Sequence, residues 1–213
     1  MEQTIKILIY IHAFFGGIGL LMGILSVLVK KGGKQHKRFG KIFSYAILIS
    51  AFISLIVARL PNHENLFLFL IGVFTIYMVL AGNRAITFKK KSKTSADMLD
   101  KLISGTMCAC SILMLIVGII GELQHIGNSI LYIFFGAFGL LMTLKDFRMY
   151  RNIELLKLKW QQNHLGKMIG ALIASVTAFI IAGLNMSTLI FWILPTIIGS
   201  LYIIYWNRKL AKQ

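Results

Sequence analysis

Long apolar stretches separated by short polar segments make up most of the chain. A helix that crosses the hydrocarbon core of a bilayer needs about 20 predominantly apolar residues. Within each stretch the apolar residues follow one another without alternating with polar ones, so a membrane β-barrel is disfavoured. The pattern predicts an all-α membrane protein with seven transmembrane helices, near residues 7–29, 41–60, 66–87, 102–121, 128–145, 167–184 and 187–206.

The composition supports a lipid environment. Of the 213 residues, 57% are hydrophobic and 14% are charged, whereas about a quarter of the residues of a soluble domain are charged. The predicted connections are short, and none is long enough for a soluble domain. We therefore expect residues 1–213 to form a single integral membrane domain, with the lipid bilayer as its first partner.

The basic residues predict the orientation of the chain. The net charge is +16, but the lysines and arginines are clustered in residues 30–41, 84–101, 145–167 and the C-terminal tail, leaving only Lys6 and Arg59 elsewhere. These clusters occupy alternate connections, which is typical of cytoplasmic loops rather than of a nucleic-acid interface. We expect an inner-membrane protein with its N-terminus outside and its C-terminus in the cytoplasm, and no nucleic-acid partner.

Two halves of the chain share short matching segments. Residues 14–22 and 134–142 are identical at seven of nine positions, at an offset of 120. Two dipeptides recur in the same order at offsets of 126 and 124: Gly40-Lys41 with Gly166-Lys167, and Asn83-Arg84 with Asn207-Arg208.

These matches predict a parallel 3+1+3 internal repeat. Repeat unit 1 covers about residues 7–87, the linker helix about 102–121, and repeat unit 2 about 128–208. A single linker helix gives both units the same orientation, so the axis that relates them lies along the membrane normal. The alternative is that both segments use small residues for close helix packing.

This plan resembles that of the SWEET sugar transporters and their PQ-loop relatives, which implies a transport function. The resemblance is architectural, because the chain lacks the Pro-Gln dipeptide of that family and the prolines of its repeated helices. Four phrases are spread over nearly the whole chain: Ile11-His12-Ala13-Phe14-Phe15-Gly16, His36-Lys37-Arg38-Phe39-Gly40, Gly82-Asn83-Arg84-Ala85, and His164-Leu165-Gly166-Lys167 leading to Thr177-Ala178-Phe179. They resemble a family of uncharacterised predicted multi-pass bacterial membrane proteins, which implies topology and no chemistry.

The acidic residues disfavour several classes of activity. All seven lie at or beyond the ends of the predicted spans, so we expect no carboxylate at the middle of the bilayer. This argues against an ion pump or a membrane protease that depends on a buried acid. The sequence contains no phosphate-binding loop, nucleophile elbow or HExxH motif. An enzymatic activity is therefore not favoured.

Four polar residues form a candidate gate or ligand cluster. His36 and His164 each precede a Gly-Lys dipeptide at the predicted cytoplasmic mouth, and Arg84 and Asp146 lie at the inner ends of their spans. Imidazole, guanidinium and carboxylate groups together could gate a pathway, bind an anion or hold a metal. For any one residue, the favoured alternative is an interfacial side chain in contact with water or headgroups.

His12 is predicted to be buried near the outer face of the first span. A buried imidazole needs a hydrogen-bond partner, and we expect His12 to be a packing residue or to line an outer cavity. Haem is the alternative, but His63 and His125 are predicted loop residues, so no second axial ligand is evident. We predict no cofactor, and the metal content is left open.

Two predicted helices have weak points at similar depths. Gly72 in the third span and Pro195 in the seventh are candidate hinges, because proline removes a helical hydrogen bond. The candidate substrate-binding residues beside them are Thr75, Tyr77, Trp192 and Thr196. The alternative is that the hydroxyls bond to their own helices and the aromatic rings fill space.

These features favour a small-solute facilitator whose site lies between two three-helix units. Its partner would be a small polar solute, and a homo-oligomer is compatible with the pattern. The alternatives are a membrane protein with histidine-ligated haem or metal, and a non-catalytic accessory or assembly protein.

Overall fold

The computed structural model describes residues 2–212, which form seven long helices without any strand. Each helix is long and apolar enough to span a membrane, so the predicted all-α fold with seven spans is confirmed. A 3₁₀ turn at Ile86–Lys89 extends the third helix and a π-helical turn at Phe179–Gly183 extends the sixth. The helices are α1 Glu2–Leu28, α2 Lys34–Val57, α3 Leu66–Ala85, α4 Met98–Leu123, α5 Ser129–Tyr150, α6 Ile153–Ala178 and α7 Leu189–Leu210.

Short connections between successive helices make neighbours antiparallel. As a result α1, α3, α5 and α7 end at the same end of the bundle, where α2, α4 and α6 begin. We call this the basic end, because the clusters of lysine and arginine lie there.

The largest departure from the predicted spans is the start of α6. The segment 145–167 is helical except at Arg151 and Asn152, whereas the hydropathy pattern predicts a loop. Asn152 caps α6, since its side chain accepts a hydrogen bond from the backbone N–H of Leu155 at 2.9 Å. Leu156 is buried in a small cluster with Phe88 and Met149. This packing stabilises a polar helical extension that hydropathy alone does not detect.

Two central helices hold the bundle together. α3 packs on α2, α4 and α6, and α6 packs on α1, α3 and α7. α1 and α2 form one closely packed pair, and α4 and α5 form another. One apolar cluster, which includes Phe43, Phe74 and Met107, lies toward the basic end, and a second, which includes Phe67 and Phe135, lies toward the opposite end.

The two matching segments of the predicted repeat both lie at close helix contacts. In α1, Gly19 faces Ile47 of α2, and in α5, Gly139 faces Ser111 and Met107 of α4. However, α1 packs on the helix that follows it, whereas α5 packs mainly on the helix that precedes it. This difference favours small-residue packing as the reason for the match, and the 3+1+3 repeat stays a prediction.

Candidate functional site

A buried ion pair joins α5 and α6 inside the bundle. The Lys167 Nζ atom donates hydrogen bonds to both carboxylate oxygens of Asp146 at 2.8 Å, and a third to the Tyr77 hydroxyl of α3, also at 2.8 Å. The Tyr77 hydroxyl in turn donates to Asp146 at 2.7 Å. The exposed fractions of Lys167, Asp146 and Tyr77 are 6%, 5% and 2%. All three ammonium protons therefore have acceptors, as a buried cation requires.

The close approach of α3 and α6 positions this pair. A methyl group added at Gly82 of α3 would lie 3.2 Å from Cβ of Lys167 and 2.7 Å from the sulfur of Met168. Ala171, one turn after Lys167, is fully buried in the same interface. Small residues thus bring the lysine stem against α3, with its ammonium group beside Tyr77.

Hydroxyl groups connect the ion pair to the basic end. Ser104 of α4 donates to Asp146 at 2.9 Å. The Tyr150 hydroxyl lies 2.9 Å from Ser104 Oγ and 3.2 Å from the carbonyl oxygen of Asp100, and it can donate to either. We call Tyr77, Ser104, Asp146, Tyr150 and Lys167 the buried polar cluster.

A second set of charges lies where this chain of hydrogen bonds reaches the basic end. The side chain of Asp100, almost fully buried, pairs with Arg84 and with Lys93, the latter at 2.6 Å. Asp97, the N-cap of α4, also pairs with Arg84 and Lys93. Desolvation alone would raise the pKa of Asp97, but the Asp100 N–H and the two cations outweigh it and lower the pKa below its usual range. We call Arg84, Lys93, Asp97 and Asp100 the basic-end network.

Aromatic and apolar side chains close the opposite half of the bundle. The Phe67 ring lies 4.9 Å from that of Tyr132 and 5.3 Å from that of Trp192, between centroids. Between this region and the buried polar cluster, the hydroxyls of Ser111 and Thr143 are buried and donate to carbonyls of their own helices. Within residues 2–212, the hydrogen bonds of the buried polar cluster therefore lead only to the basic end.

The two histidines of the predicted gate bind helix ends rather than each other. Nδ1 of His36 lies 2.9 Å from the Ser26 carbonyl of α1, and Nδ1 of His164 lies 2.9 Å from the Gly82 carbonyl of α3. Both carbonyls belong to the last turn of their helices, where helical partners are missing. Since a carbonyl only accepts, each Nδ1 carries a proton and donates it to the carbonyl.

In the structure, the four residues of the predicted gate therefore contact different partners. Asp146 belongs to the buried polar cluster and Arg84 to the basic-end network, and Tyr150 links the two. Within residues 2–212 no hydrogen bond joins either histidine to Asp146 or Arg84, and no group of three His, Cys, Asp or Glu side chains is arranged to hold a metal ion.

His12 connects α1 to α2. Its Nδ1 donates to the Ser50 carbonyl at 2.9 Å, and the Ser50 hydroxyl donates to the His12 carbonyl at 2.9 Å. These reciprocal bonds provide the partner that a half-buried imidazole needs.

Ser50→Ala should destabilise the fold by about 1 kcal/mol, because it removes a hydrogen bond between two helices. Ser54→Ala is the matched control on the same helix, since Ser54 donates only to the Ala51 carbonyl of α2 itself. Thermal unfolding in detergent measures both. Equal losses of melting temperature would contradict a clamp between α1 and α2.

The candidate substrate-binding residues lie in different surroundings. Tyr77 is part of the buried polar cluster, and Trp192 packs against Phe67 in the aromatic region. Thr75 donates to the Ile71 carbonyl of its own helix at 2.9 Å, and Thr196 is half-buried on α7. A groove of about 200 Å³ between α3 and α4 reaches Tyr77, and the other residues that line it are mainly apolar.

The two candidate hinges also differ. Gly72 of α3 is buried against Leu55 and Ser54 of α2, where an added methyl group would lie 2.7 Å from the leucine. Pro195 is buried within α7, which continues as a helix through it. Whether either position bends stays a prediction.

The partner of Asp146 is not evident from hydropathy and charge. The distribution of positive charge counts Lys167 with a cytoplasmic loop, and the predicted sixth span begins at this residue. No sequence pattern singles out Ser104 or Tyr150. Asp146 does lie one turn from the end of its helix, as expected for the acids, but it is buried rather than exposed. One feature of the sequence does point to Lys167, because this lysine directly precedes a long apolar run. If the helix begins before that run, such a lysine lies within the membrane span.

Comparisons with known proteins found no match, so the geometry described above is the basis for proposing a function. No family model, no curated protein and no solved structure matches the chain.

Proposed function

We propose that the protein is a small-solute carrier of the inner membrane, N-terminus outside and C-terminus cytoplasmic, in which protonation of Asp146 controls opening. The observation that carries this proposal is the Asp146–Lys167 pair, buried among α3, α4, α5 and α6. The basic end is then the cytoplasmic end, in agreement with the distribution of positive charge.

Energetics favour a functional role for the pair over a purely structural one. Replacing a buried ion pair by apolar residues of similar volume is often neutral or stabilising, so a bundle does not need one to fold. Ionisable residues inside membrane spans are more often associated with transport and proton transfer. The Asp146–Lys167 pair, whose hydrogen bonds are all satisfied, therefore suits a role in function, such as a switch, better than a role in stabilising the fold.

The switch works through the loss of one charge. When Asp146 accepts a proton, it no longer attracts Lys167 as an ion, and Lys167 and Tyr77 lose their strongest acceptor. The contact between α3 and α6 then loosens at the basic end. The ion pairs of the basic-end network close the same end a second time. The aromatic residues keep the opposite end shut at this stage. Alternating access then requires the opposite end to open in its turn, with the basic end closed again.

The solute class follows from the groups that opening would expose. The Tyr77 and Ser104 hydroxyls are hydrogen-bonding groups near apolar walls, which suits a small polar molecule. This carrier differs in one respect from the facilitator that the sequence favours. Coupling to protons replaces passive movement, because an ionisable pair is present.

Solute-induced currents in proteoliposomes test the proposal. We would screen sugars, polyols and amino acids on a solid-supported membrane, with the basic-end side at higher pH. We expect at least one solute to give a current that grows with the pH gradient, and Asp146→Asn to remove that dependence. Glu154→Gln, an exposed acid at the same end, is the control and should behave as wild type.

The proposal would be overturned by currents no larger than those of empty vesicles for every solute. It would also be overturned if Asp146→Asn and Glu154→Gln transported with the same pH dependence.

A further inference from the structure

One face of α7, together with the turn that follows it, forms a shallow open groove on the outside of the bundle. Residues at helical spacings of three and four line it, and its volume is about 450 Å³. We call it the α7 groove, and in the part of the chain that the structure describes it is lined by these residues alone: Leu201, Ile204, Tyr205, Arg208, Lys209 and Lys212.

The chemical character of this face changes along its length. Leu201, Ile204 and Tyr205 are 64%, 48% and 60% exposed. One turn later, at the basic end, the face consists of exposed cations. Within residues 2–212 none of these three cations pairs with a carboxylate.

The rest of α7 explains why this face is free. α7 packs on α6, while Tyr202 and Trp206, on another side of the helix, lie under the ammonium group of Lys31, 5.9 and 5.5 Å from the ring centroids. α7 itself contains no Asp or Glu. A ligand of the groove must therefore supply both the apolar contact and the negative charge.

We infer that the α7 groove is a binding site for an anionic phospholipid. The acyl chain lies along Leu201, Ile204 and Tyr205, and the phosphate lies among Arg208, Lys209 and Lys212. The apolar part, from Leu201 to Tyr205, rises about 6 Å at about 1.5 Å per residue, so it covers the part of one leaflet nearest the headgroups, in a hydrocarbon core of about 30 Å for both leaflets. Basic residues at the cytoplasmic ends of spans attract anionic headgroups.

Charge complementarity favours a lipid over a second copy of the chain. Two copies that met through this face would bring two sets of three cations together without an acid on either α7. A free phosphate would use the cations and leave the apolar half of the groove unused. A lipid with a negative headgroup uses both halves.

The test is lipid titration of the purified full chain in detergent, measured by native mass spectrometry. Phosphatidylglycerol and phosphatidylcholine with the same acyl chains are compared. We expect phosphatidylglycerol to bind about tenfold or more tightly, because each nearby basic residue favours an anionic headgroup. Arg208→Gln/Lys209→Gln/Lys212→Gln should remove most of that preference.

A control variant removes the same charge elsewhere at the basic end. Lys89→Gln/Lys90→Gln/Lys91→Gln changes consecutive residues, of which Lys90 and Lys91 lie beyond the helical turn, and it should retain the preference. Leu201→Ser/Ile204→Ser should weaken the binding of both lipids, because it removes apolar contact and leaves the cations in place.

Three results would overturn the inference. They are equal binding of the two lipids, equal loss of preference in the two triple variants, and displacement of bound phosphatidylglycerol by glycerol phosphate at equal concentration. The last result would identify a phosphate site without a lipid requirement.

Discussion

Lys167→Met should destabilise the folded bundle by about 3–5 kcal/mol, because it leaves the Asp146 carboxylate buried without its cation. Methionine has nearly the length of lysine, so the loss of charge rather than of volume dominates. Unfolding by a titration of sodium dodecyl sulfate into mild detergent, followed by tryptophan fluorescence, measures the change.

A second substitution should restore much of this loss. In Asp146→Asn/Lys167→Met both charges are gone, while the asparagine carbonyl can still accept from Tyr77 and Ser104. We expect the double variant to be more stable than Lys167→Met alone, so that its loss is smaller than the sum of the two single losses in a double-mutant cycle. Additive losses would show that the two side chains do not act as a pair.

Lys41→Met is the matched control. Lys41 follows a glycine in α2 as Lys167 does in α6, but it is exposed. Exposed substitutions usually change stability by no more than about 0.5 kcal/mol. A loss in Lys167→Met as small as that in Lys41→Met would contradict the buried ion pair.

Hydropathy is sufficient to predict the number and type of the helices. In lipid, each span must satisfy the hydrogen bonds of its own backbone and present apolar side chains to the bilayer. The residues of a span alone are therefore enough to predict its helix. The predicted span 66–87 agrees closely with α3, Leu66–Ala85. The orientation and the repeat depend on what surrounds the spans, and they stay predictions.

Hydropathy fails where a helix extends beyond its apolar part. The first turns of α6 contain lysine, glutamine and asparagine, and they are helical because Leu156 and the ring of Trp160 pack against Phe88 and Met149. The contacts with Phe88 join residues that are distant in the chain. A window average over neighbouring residues cannot include them.

The same limit explains which part of the site is predictable. Tyr77 and Asp146 both stand out in the sequence, but as members of different candidate sites. Their contact depends on the rotation of α3, α5 and α6 about their axes, which is set by small residues such as Gly82 and Ala171. The positive-inside rule counts cations without regard to burial, so it counts Lys167 with a loop.

Gly118→Ala should destabilise the protein by about 1–3 kcal/mol through overpacking of the α4–α5 contact. A methyl group at this position of α4 would lie 2.7 Å from the Ile133 side chain and 2.8 Å from the Ile133 backbone nitrogen of α5. A side chain can rotate away, but a backbone atom moves only if the two helices separate. The separation would also weaken packing around Met114 and Phe135.

The same substitution at Gly105, earlier in α4, should have the opposite sign. No heavy atom outside its own helix turn lies within 4 Å of the added methyl group, and alanine is the better helix former by up to about 1 kcal/mol. Gly105→Ala should therefore be neutral or stabilising in the same unfolding titration. Because helix, residue type and added volume are identical, the difference between the two variants isolates the contact with α5. If both variants lost the same stability, α4 and α5 would not be paired through Gly118.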